Sequence, residues 1–152
     1  MINKLLIIIR GIPGSGKSTL AEHLVYSIGV ERQHPAIFEA DNYFKNVNGN
    51  YVFNPAEIPK AHAWCKQQTE HAMFKEIETI IVSNTSCAEW EYRPYIEMAR
   101  LFGYKVQVID VHGEFKNIHD VPKEALERME KKWVPFNRSL LKRENGDCQL
   151  GC

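Results

Sequence analysis

The chain has 152 residues, 44% hydrophobic and 25% charged, and this length and balance fit one globular domain. Its formal net charge is zero, which excludes a strong overall electrostatic attraction to nucleic acid. No run of roughly 18 apolar residues occurs, so no membrane-spanning segment is predicted. The four cysteines form no CxxC pair, which predicts no zinc site and a reducing, cytoplasmic setting. Nothing in the sequence indicates an oligomeric state.

The first half of the chain alternates apolar strands with an amphipathic helix. Residues 5–9 are continuously apolar, which is typical of a strand covered on both faces. Apolar residues recur at helical spacing over residues 17–28, and Gly29 is expected to end that helix. Residues 36–40 form the second predicted strand, which is expected to end at Asp41.

The second half continues this alternation. The predicted elements are a turn at 46–50, a helix at 56–77, a third strand at 79–82, a helix with Pro94 near its start that ends at Gly103, a fourth strand at 104–111, a short helix near Pro122 and a C-terminal helix. Strands separated by helices predict an α/β fold with a parallel sheet.

A phosphate-binding motif follows the first predicted strand. Residues 11–18 read GIPGSGKS and match GxxxxGK[ST] at every fixed position. Glycines let successive backbone N–H groups turn inward as an anion nest, and the helix that starts there adds its dipole. Lys17 is predicted to contact the β and γ phosphates of ATP, and the Ser18 hydroxyl to ligate Mg²⁺. The predicted nucleotide-binding residues are Gly11, Pro13, Gly14, Ser15, Gly16, Lys17, Ser18 and Thr19.

With a strand before it and a helix after it, this motif predicts a P-loop NTPase or kinase fold. We expect a parallel sheet of four to five strands with helices on both faces. The predicted single domain covers residues 1–145, and residues 146–152 are expected to be a disordered tail.

Two strand ends are candidates for the catalytic chemistry, because ligands gather at the carboxyl ends of parallel strands. Asp41 is predicted to accept the proton of an acceptor hydroxyl, with capping of the following turn as the alternative. The third strand ends in Ser83-Asn84-Thr85-Ser86, where many P-loop proteins keep an aspartate that orients Mg²⁺. The missing carboxylate disfavours a fast hydrolytic motor.

The distribution of basic residues bears on the acceptor. No arginine lies between Asp41 and Arg93, which disfavours an acceptor with a free phosphate deep in the site, since arginine forks usually bind such groups. A basic run between Glu130 and Glu144 is interpreted as a solvated helix face or as a contact to a phosphate backbone. Its members are Lys131, Lys132, Arg138, Lys142 and Arg143. The predicted substrate contacts are Asn84, Arg93, Lys142 and Arg143.

An ordered series of motifs extends beyond the P-loop. It comprises RGIPGSGKSTLA, ADNYF at 40–44, NGNYVFNP, AHAW at 61–64, IVSNTS, EWEYRPY at 89–95 and VPKEALERM at 121–129. Over residues 4–134 the chain resembles the polynucleotide-kinase-like P-loop ATPases. The resemblance implies ATP-dependent phosphorylation of a hydroxyl, in known members the 5′ end of a nucleic acid. It also implies that Lys17 and Ser18 act on phosphate and Mg²⁺, with Asp41 as the general base.

Three departures from the family pattern stand out. The family's Asp-Asn-Thr-Asn strand end is here residues 83–86, without the carboxylate. Phe44 stands where some members have an arginine for the acceptor phosphate. The family's lid Arg-Arg-Asn aligns with residues 115–117, so Lys116 would replace the catalytic lid arginine without its planar fork. These departures predict slow transfer or an unusual acceptor.

Three functions therefore remain open at the level of sequence. The first is a kinase for a nucleic-acid hydroxyl, either a 5′ end or a hydroxymethylated base. The second is a kinase for a nucleoside or a small polar metabolite. The third is a regulatory ATP-binding module whose phosphotransfer is impaired, although such a module would not need Asp41.

Overall fold

The structure, a computed structural model, describes residues 3–30, 32–113 and 121–141. Its strands are β1 (Leu5–Arg10), β2 (Ala36–Phe38), β3 (Thr79–Asn84) and β4 (Lys105–Asp110). Its α-helices are α1 (Lys17–Gly29), α2 (Ile58–Phe74), α3 (Glu89–Phe102) and α4 (Lys123–Lys132). Short 3₁₀ helices cover Ala40–Phe44, Pro55–Glu57 and Arg138–Leu141. No helix within these ranges has the length and apolar character needed to cross a bilayer.

The four strands form one parallel sheet in the order β2-β3-β1-β4. At its carboxyl edge Arg10 of β1 is in register with Asn84 of β3 and with Asp110 of β4. This sheet confirms the predicted α/β fold. It also brings the loops that follow β1, β3 and β4 to one edge, because all strands run in the same direction.

Alternate residues of the central strands enter two separate cores. Ile7, Ile9 and Ile81 pack against the apolar side of α1, where Ala21 is fully buried. Leu6, Ile8, Ile80 and Val82 lie on the opposite face and pack against the buried residues of α2 and α3. The two-residue period of a strand produces this division. Helices therefore cover both faces, as predicted.

The prediction that the second strand runs to residue 40 and ends at Asp41 is wrong. β2 ends at Phe38, and Asp41 lies in the first turn of the 3₁₀ helix Ala40–Phe44. The backbone N–H of Ala40 donates to the side chain of Asn84 at the end of β3, and not to the backbone of a neighbouring strand. The N–H of Asn42 donates to Glu39 O at 3.1 Å, which closes a turn. The polypeptide therefore turns before Asp41 is reached.

Other boundaries differ from the predictions at places where local capping decides them. α3 begins at Glu89, five residues before Pro94, because the Glu91 carboxylate accepts a 2.8 Å hydrogen bond from the N–H of Ala88. The described members of the basic run do not lie on a single helix face. α4 ends at Lys132, and residues 133–137, which form no helix or strand, separate it from the 3₁₀ helix that contains Arg138.

Several predicted features lie outside the described residues. They are the lid position Lys116, the substrate contacts Lys142 and Arg143, and the tail at 146–152.

Candidate nucleotide and phosphate-acceptor site

The P-loop connects β1 to α1 and depends on glycine at three positions. Gly14 and Gly16 have φ of 82° and 100°, in the left-handed region that other residues rarely adopt. Gly11 is needed for space, since a Cβ there would overlap Ser15 Oγ and lie 2.8 Å from the carbonyl oxygen of Val111. Ser15 itself is fully buried, and its N–H donates to Ile12 O at 3.1 Å. These constraints fix a tight loop at the start of α1.

Lys17 and Ser18 occupy the first turn of α1 and share a polar cluster with the segment after β2. The Ser18 hydroxyl donates a 3.3 Å hydrogen bond to Glu39 Oε1. Burial lowers the pKa of Lys17, although the charges of Glu39 and Asp41 partly oppose that shift. Burial raises the pKa of Glu39, against the opposing effects of Lys17 and of the Ser18 hydrogen bond. The structure therefore brings together the predicted residues Lys17, Ser18 and Asp41.

Glu39 is part of this cluster and was not predicted from the sequence. The signal that could have indicated it is a carboxylate directly after an apolar strand, two residues before Asp41. Its contact to Ser18 crosses 21 residues of sequence, which pattern analysis does not reveal.

Asp41 lies at the surface beside the P-loop. Its side chain is exposed, and its charge acts on Lys17 and also on Tyr51, whose pKa is raised by partial burial and by that charge. An exposed carboxylate whose charge acts on the P-loop lysine is open to an incoming group. Proton acceptance by Asp41 remains a prediction that this placement supports.

The predicted substrate contacts Asn84 and Arg93 lie in different surroundings. Asn84 is buried, its Oδ1 accepts a 2.8 Å hydrogen bond from Ala40 N, and its Nδ2 donates to Cys65 Sγ at 3.6 Å. Arg93 is half-exposed on α3, where it pairs with Glu89 and Glu97 at 3.7 and 3.6 Å. The Asn84 side chain thus supports the turn that carries Asp41.

Arg10 joins the P-loop to the C-terminal part of the described chain. Its guanidinium is fully buried and donates to the carbonyl oxygens of Ser86 at 2.9 Å and Val134 at 2.7 Å. It pairs with Asp110 at 3.2 Å and lies 4.3 Å from the ring centroid of Trp133. Because Gly11 follows directly, these contacts hold the entry of the P-loop. A lone arginine at the end of an apolar strand was the available sequence signal.

An aromatic cluster lies on the Asp41 side of the site. Its members are Tyr43, Phe44, Tyr51, Phe53 and Trp64. The rings of Tyr51 and Phe53 are nearly parallel, with an interplanar angle of 6° and centroids 6.3 Å apart, and they are 40% and 50% exposed. Phe44 packs edge-on against both of them from the core. The cluster therefore holds two half-exposed aromatic rings, of which Tyr51 is near enough to Asp41 to feel its charge.

A cavity of about 290 Å³ lies on the opposite side of the P-loop. Its lining consists of Ile12, His112, Gly113, Glu130 and Trp133. Apolar and aromatic walls with one carboxylate suit a planar base that carries an amino group.

The oxygen donors of the P-loop region fit Mg²⁺ in a site completed by phosphate. Within the described ranges no three His, Cys, Asp or Glu side chains are grouped to hold a metal by themselves. Ser18 and its carboxylate partner Glu39 supply hard oxygen atoms at the start of α1. Mg²⁺ typically takes one or two protein oxygens and completes its shell with phosphate and water.

Comparison with known proteins identifies the family. A family described as an AAA domain matches residues 6–119. NEDD4-binding protein 2 of Homo sapiens is 35% identical over 139 residues, which is 84% of this chain and 8% of that protein. The chain belongs to the polynucleotide-kinase-like P-loop family.

Two solved structures show how this family's fold extends to distant proteins. Kti12 of Chaetomium thermophilum, in complex with ADP-AlF3, has a TM-score of 0.64 at 12% identity. The match covers 88% of this chain and 82% of the Kti12 chain. A chain of the Pnkp1/Rnl/Hen1 complex has a TM-score of 0.57 at 16% identity, and the match covers 95% of this chain and 44% of that one. The protein therefore has a kinase-like P-loop nucleotide-binding fold. It spans a small part of its human relative and less than half of the Pnkp1-complex chain.

Proposed function

We propose that this protein is a Mg·ATP-dependent kinase that transfers the γ-phosphoryl group to a hydroxyl of a nucleic acid. The observation that carries the proposal is the exposed Asp41 carboxylate, which lies close enough to Lys17 for its charge to raise the Lys17 pKa against the larger effect of burial. A base beside the phosphate-binding lysine serves phosphoryl transfer to a hydroxyl.

In the proposed reaction the P-loop N–H groups and Lys17 hold the phosphates and oppose their charge. Asp41 takes the proton of the acceptor hydroxyl while the oxygen of that hydroxyl forms a bond to the γ phosphorus. The bond from that phosphorus to the β–γ bridging oxygen breaks, and ADP leaves with the electron pair. Mg²⁺, when bound, would neutralise phosphate charge. Ser18 would be its protein ligand, with Glu39 beside it.

The aromatic cluster favours an acceptor that carries a planar ring. Tyr51 and Phe53 are half-exposed rings on the Asp41 side of the site, and stacking of a nucleobase on an aromatic ring contributes about 1–3 kcal/mol. The family includes proteins that resemble polynucleotide kinases, which supports a nucleic-acid acceptor. The cavity lined by Ile12, Glu130 and Trp133 is the proposed site for the adenine of ATP. Phosphate-backbone contacts by Lys142 and Arg143 stay a prediction.

A nucleoside kinase is the second candidate. It is favoured by the separation of the described basic residues, since Lys132 ends α4 and Arg138 lies in a different element. A single ring could use Tyr51 and Phe53 without any backbone contact.

The deciding experiment transfers labelled γ-phosphate to 5′-hydroxyl DNA, 5′-hydroxyl RNA, hydroxymethylated DNA and free nucleosides. Wild type is expected to label an oligonucleotide, and Asp41→Asn is expected not to. Labelling of nucleosides alone would favour the second candidate. ATP binding without transfer to any hydroxyl would refute both kinases and leave a regulatory nucleotide-binding module.

A further inference from the structure

Glu39 has the contact that a Mg²⁺-orienting carboxylate needs. It lies between β2 and the 3₁₀ helix in extended backbone, with φ of −131° and ψ of 133°, and its Oε1 accepts a 3.3 Å hydrogen bond from the Ser18 hydroxyl. A serine hydroxyl that donates a hydrogen bond to a carboxylate keeps its oxygen lone pairs available for a cation. The Ser18 hydroxyl is thereby oriented as a metal ligand before nucleotide binds.

The end of β3 provides no carboxylate for this task. Ser83 pairs with Ile9 in the sheet and, by the alternation of the strand, lies on the α1 face together with Ile81. Its side chain is buried, with 3% exposure, and its hydroxyl has no hydrogen-bond partner in the described part of the chain. A neutral buried hydroxyl adds no negative charge for Mg²⁺ or its bound waters.

We infer that Glu39 is the positioning residue for Mg²⁺ and that it supplies, from the end of β2, the carboxylate that β3 lacks. Glu39 holds the Ser18 hydroxyl in place and accepts hydrogen bonds from metal-bound water. The inference rests on the proposed function only in requiring that the P-loop binds Mg·ATP, and it is independent of the acceptor.

The charge balance at the site gives this inference a distinctive signature. Without metal, like charge would make the Glu39 carboxylate repel phosphates bound at the P-loop, and the positive charge of Lys17 would offset part of that repulsion. With metal, the same carboxylate stabilises the cation. Removal of its charge should therefore weaken the nucleotide complex only when Mg²⁺ is present. A side chain with a merely structural role would weaken nucleotide binding with and without Mg²⁺.

The test measures the Kd of the non-hydrolysable ATP analogue AMPPNP by calorimetry, once in EDTA and once in excess Mg²⁺. Glu39→Gln keeps an acceptor for Ser18 but removes the charge. We expect the gain in affinity from Mg²⁺ to fall by about 10- to 100-fold, the usual effect of losing a residue that orients a metal ligand. The Kd in EDTA should be unchanged or lower, which also shows that the variant is folded. Glu70→Gln, on the exposed side of α2, makes the same charge change elsewhere and should behave as wild type.

An equal Mg²⁺ effect in Glu39→Gln and wild type would overturn the inference, as would equal weakening of the variant in both conditions. Wild type that binds AMPPNP equally well with and without Mg²⁺ would also overturn it, while leaving nucleotide binding intact. Wild type that does not bind AMPPNP at all would overturn the proposed function as well.

Discussion

The carboxamide of Asn84, at the end of β3, accepts a 2.8 Å hydrogen bond from the backbone N–H of Ala40. Ala40 lies between Glu39 and Asp41, so this bond fixes the turn that carries both carboxylates. Asn84 is buried and also donates to Cys65 of α2, which leaves its amide little freedom to rotate. The end of β3 is thus hydrogen-bonded to the segment that follows β2, and Asn84 supports the backbone that carries Glu39 and Asp41.

Replacement of Asn84 should therefore lower both stability and turnover. In Asn84→Ala the N–H of Ala40 loses its buried partner, which costs about 1–3 kcal/mol. For a domain of this size we expect a fall in melting temperature of roughly 2–12 °C, measured by calorimetry. Asn48→Ala, in an exposed turn, is the control. A variant as stable as wild type would mean that water replaces the side chain.

Lys17→Ala should remove catalysis without unfolding the protein. Loss of one preorganised charge at the phosphates is expected to reduce kcat by about 10²-fold or more. The melting temperature should stay the same or rise, because burial lowers the Lys17 pKa and thus opposes its charged form in the folded state. Lys75→Ala, at the exposed end of α2, is the matched control for both measurements. A destabilised Lys17→Ala protein would contradict this account of Lys17.

Asp41→Asn tests the general base. The substitution preserves size and hydrogen bonding but cannot accept a proton, so phosphoryl transfer should fall by about 10²- to 10⁴-fold. Affinity for AMPPNP and the melting temperature should remain near wild type, because Asp41 is exposed. Single-turnover rates with the best acceptor provide the measurement. Retention of more than about a tenth of the wild-type rate would contradict the general-base role of Asp41.

Phe53→Ala should raise the KM for the acceptor and leave the KM for ATP unchanged. If a base stacks on the Tyr51–Phe53 pair, loss of one ring costs about 1–3 kcal/mol, which is roughly a 5- to 150-fold rise in the acceptor KM. Phe74→Ala is the matched control, because Phe74 is an equally bulky exposed residue at the end of α2. Equal KM values for the two variants would exclude stacking at this surface.

Arg10→Met should strongly destabilise the fold. The substitution removes the donor groups that satisfy the buried carbonyl oxygen of Ser86 and the partly buried one of Val134, and each unsatisfied acceptor costs about 1–3 kcal/mol. Loss of the ion pair adds little, because the side chain of Asp110 is 30% exposed. Urea unfolding measures this loss, with the exposed Arg32→Met as the control. Arg10→Lys should also be destabilising, since a lysine cannot reproduce the guanidinium fork. A loss below about 1 kcal/mol would show that the packing of Trp133 alone holds the segment.

The fold could be predicted because its determinants are local in sequence. The apolar run of β1, the glycine loop and the apolar spacing of α1 each act over a few residues and together define the strand–loop–helix unit. The bend before Asp41 could not be predicted, because it depends on Asn84, 44 residues away. Glu39 was missed for the same reason, since its importance comes from Ser18 across 21 residues. The sequence therefore does not predict the polar contacts between the ends of different elements.

The contacts of Arg10 also set an order of events during protein synthesis. Its partner Val134 is 124 residues further along the chain, so at about 5–20 residues per second the ribosome adds it roughly 6–25 s later. Throughout that interval the guanidinium next to the P-loop lacks the carbonyl oxygen of Val134 and the covering ring of Trp133. The nucleotide-binding loop is therefore among the earlier parts of the domain to be made and among the last to gain its final support.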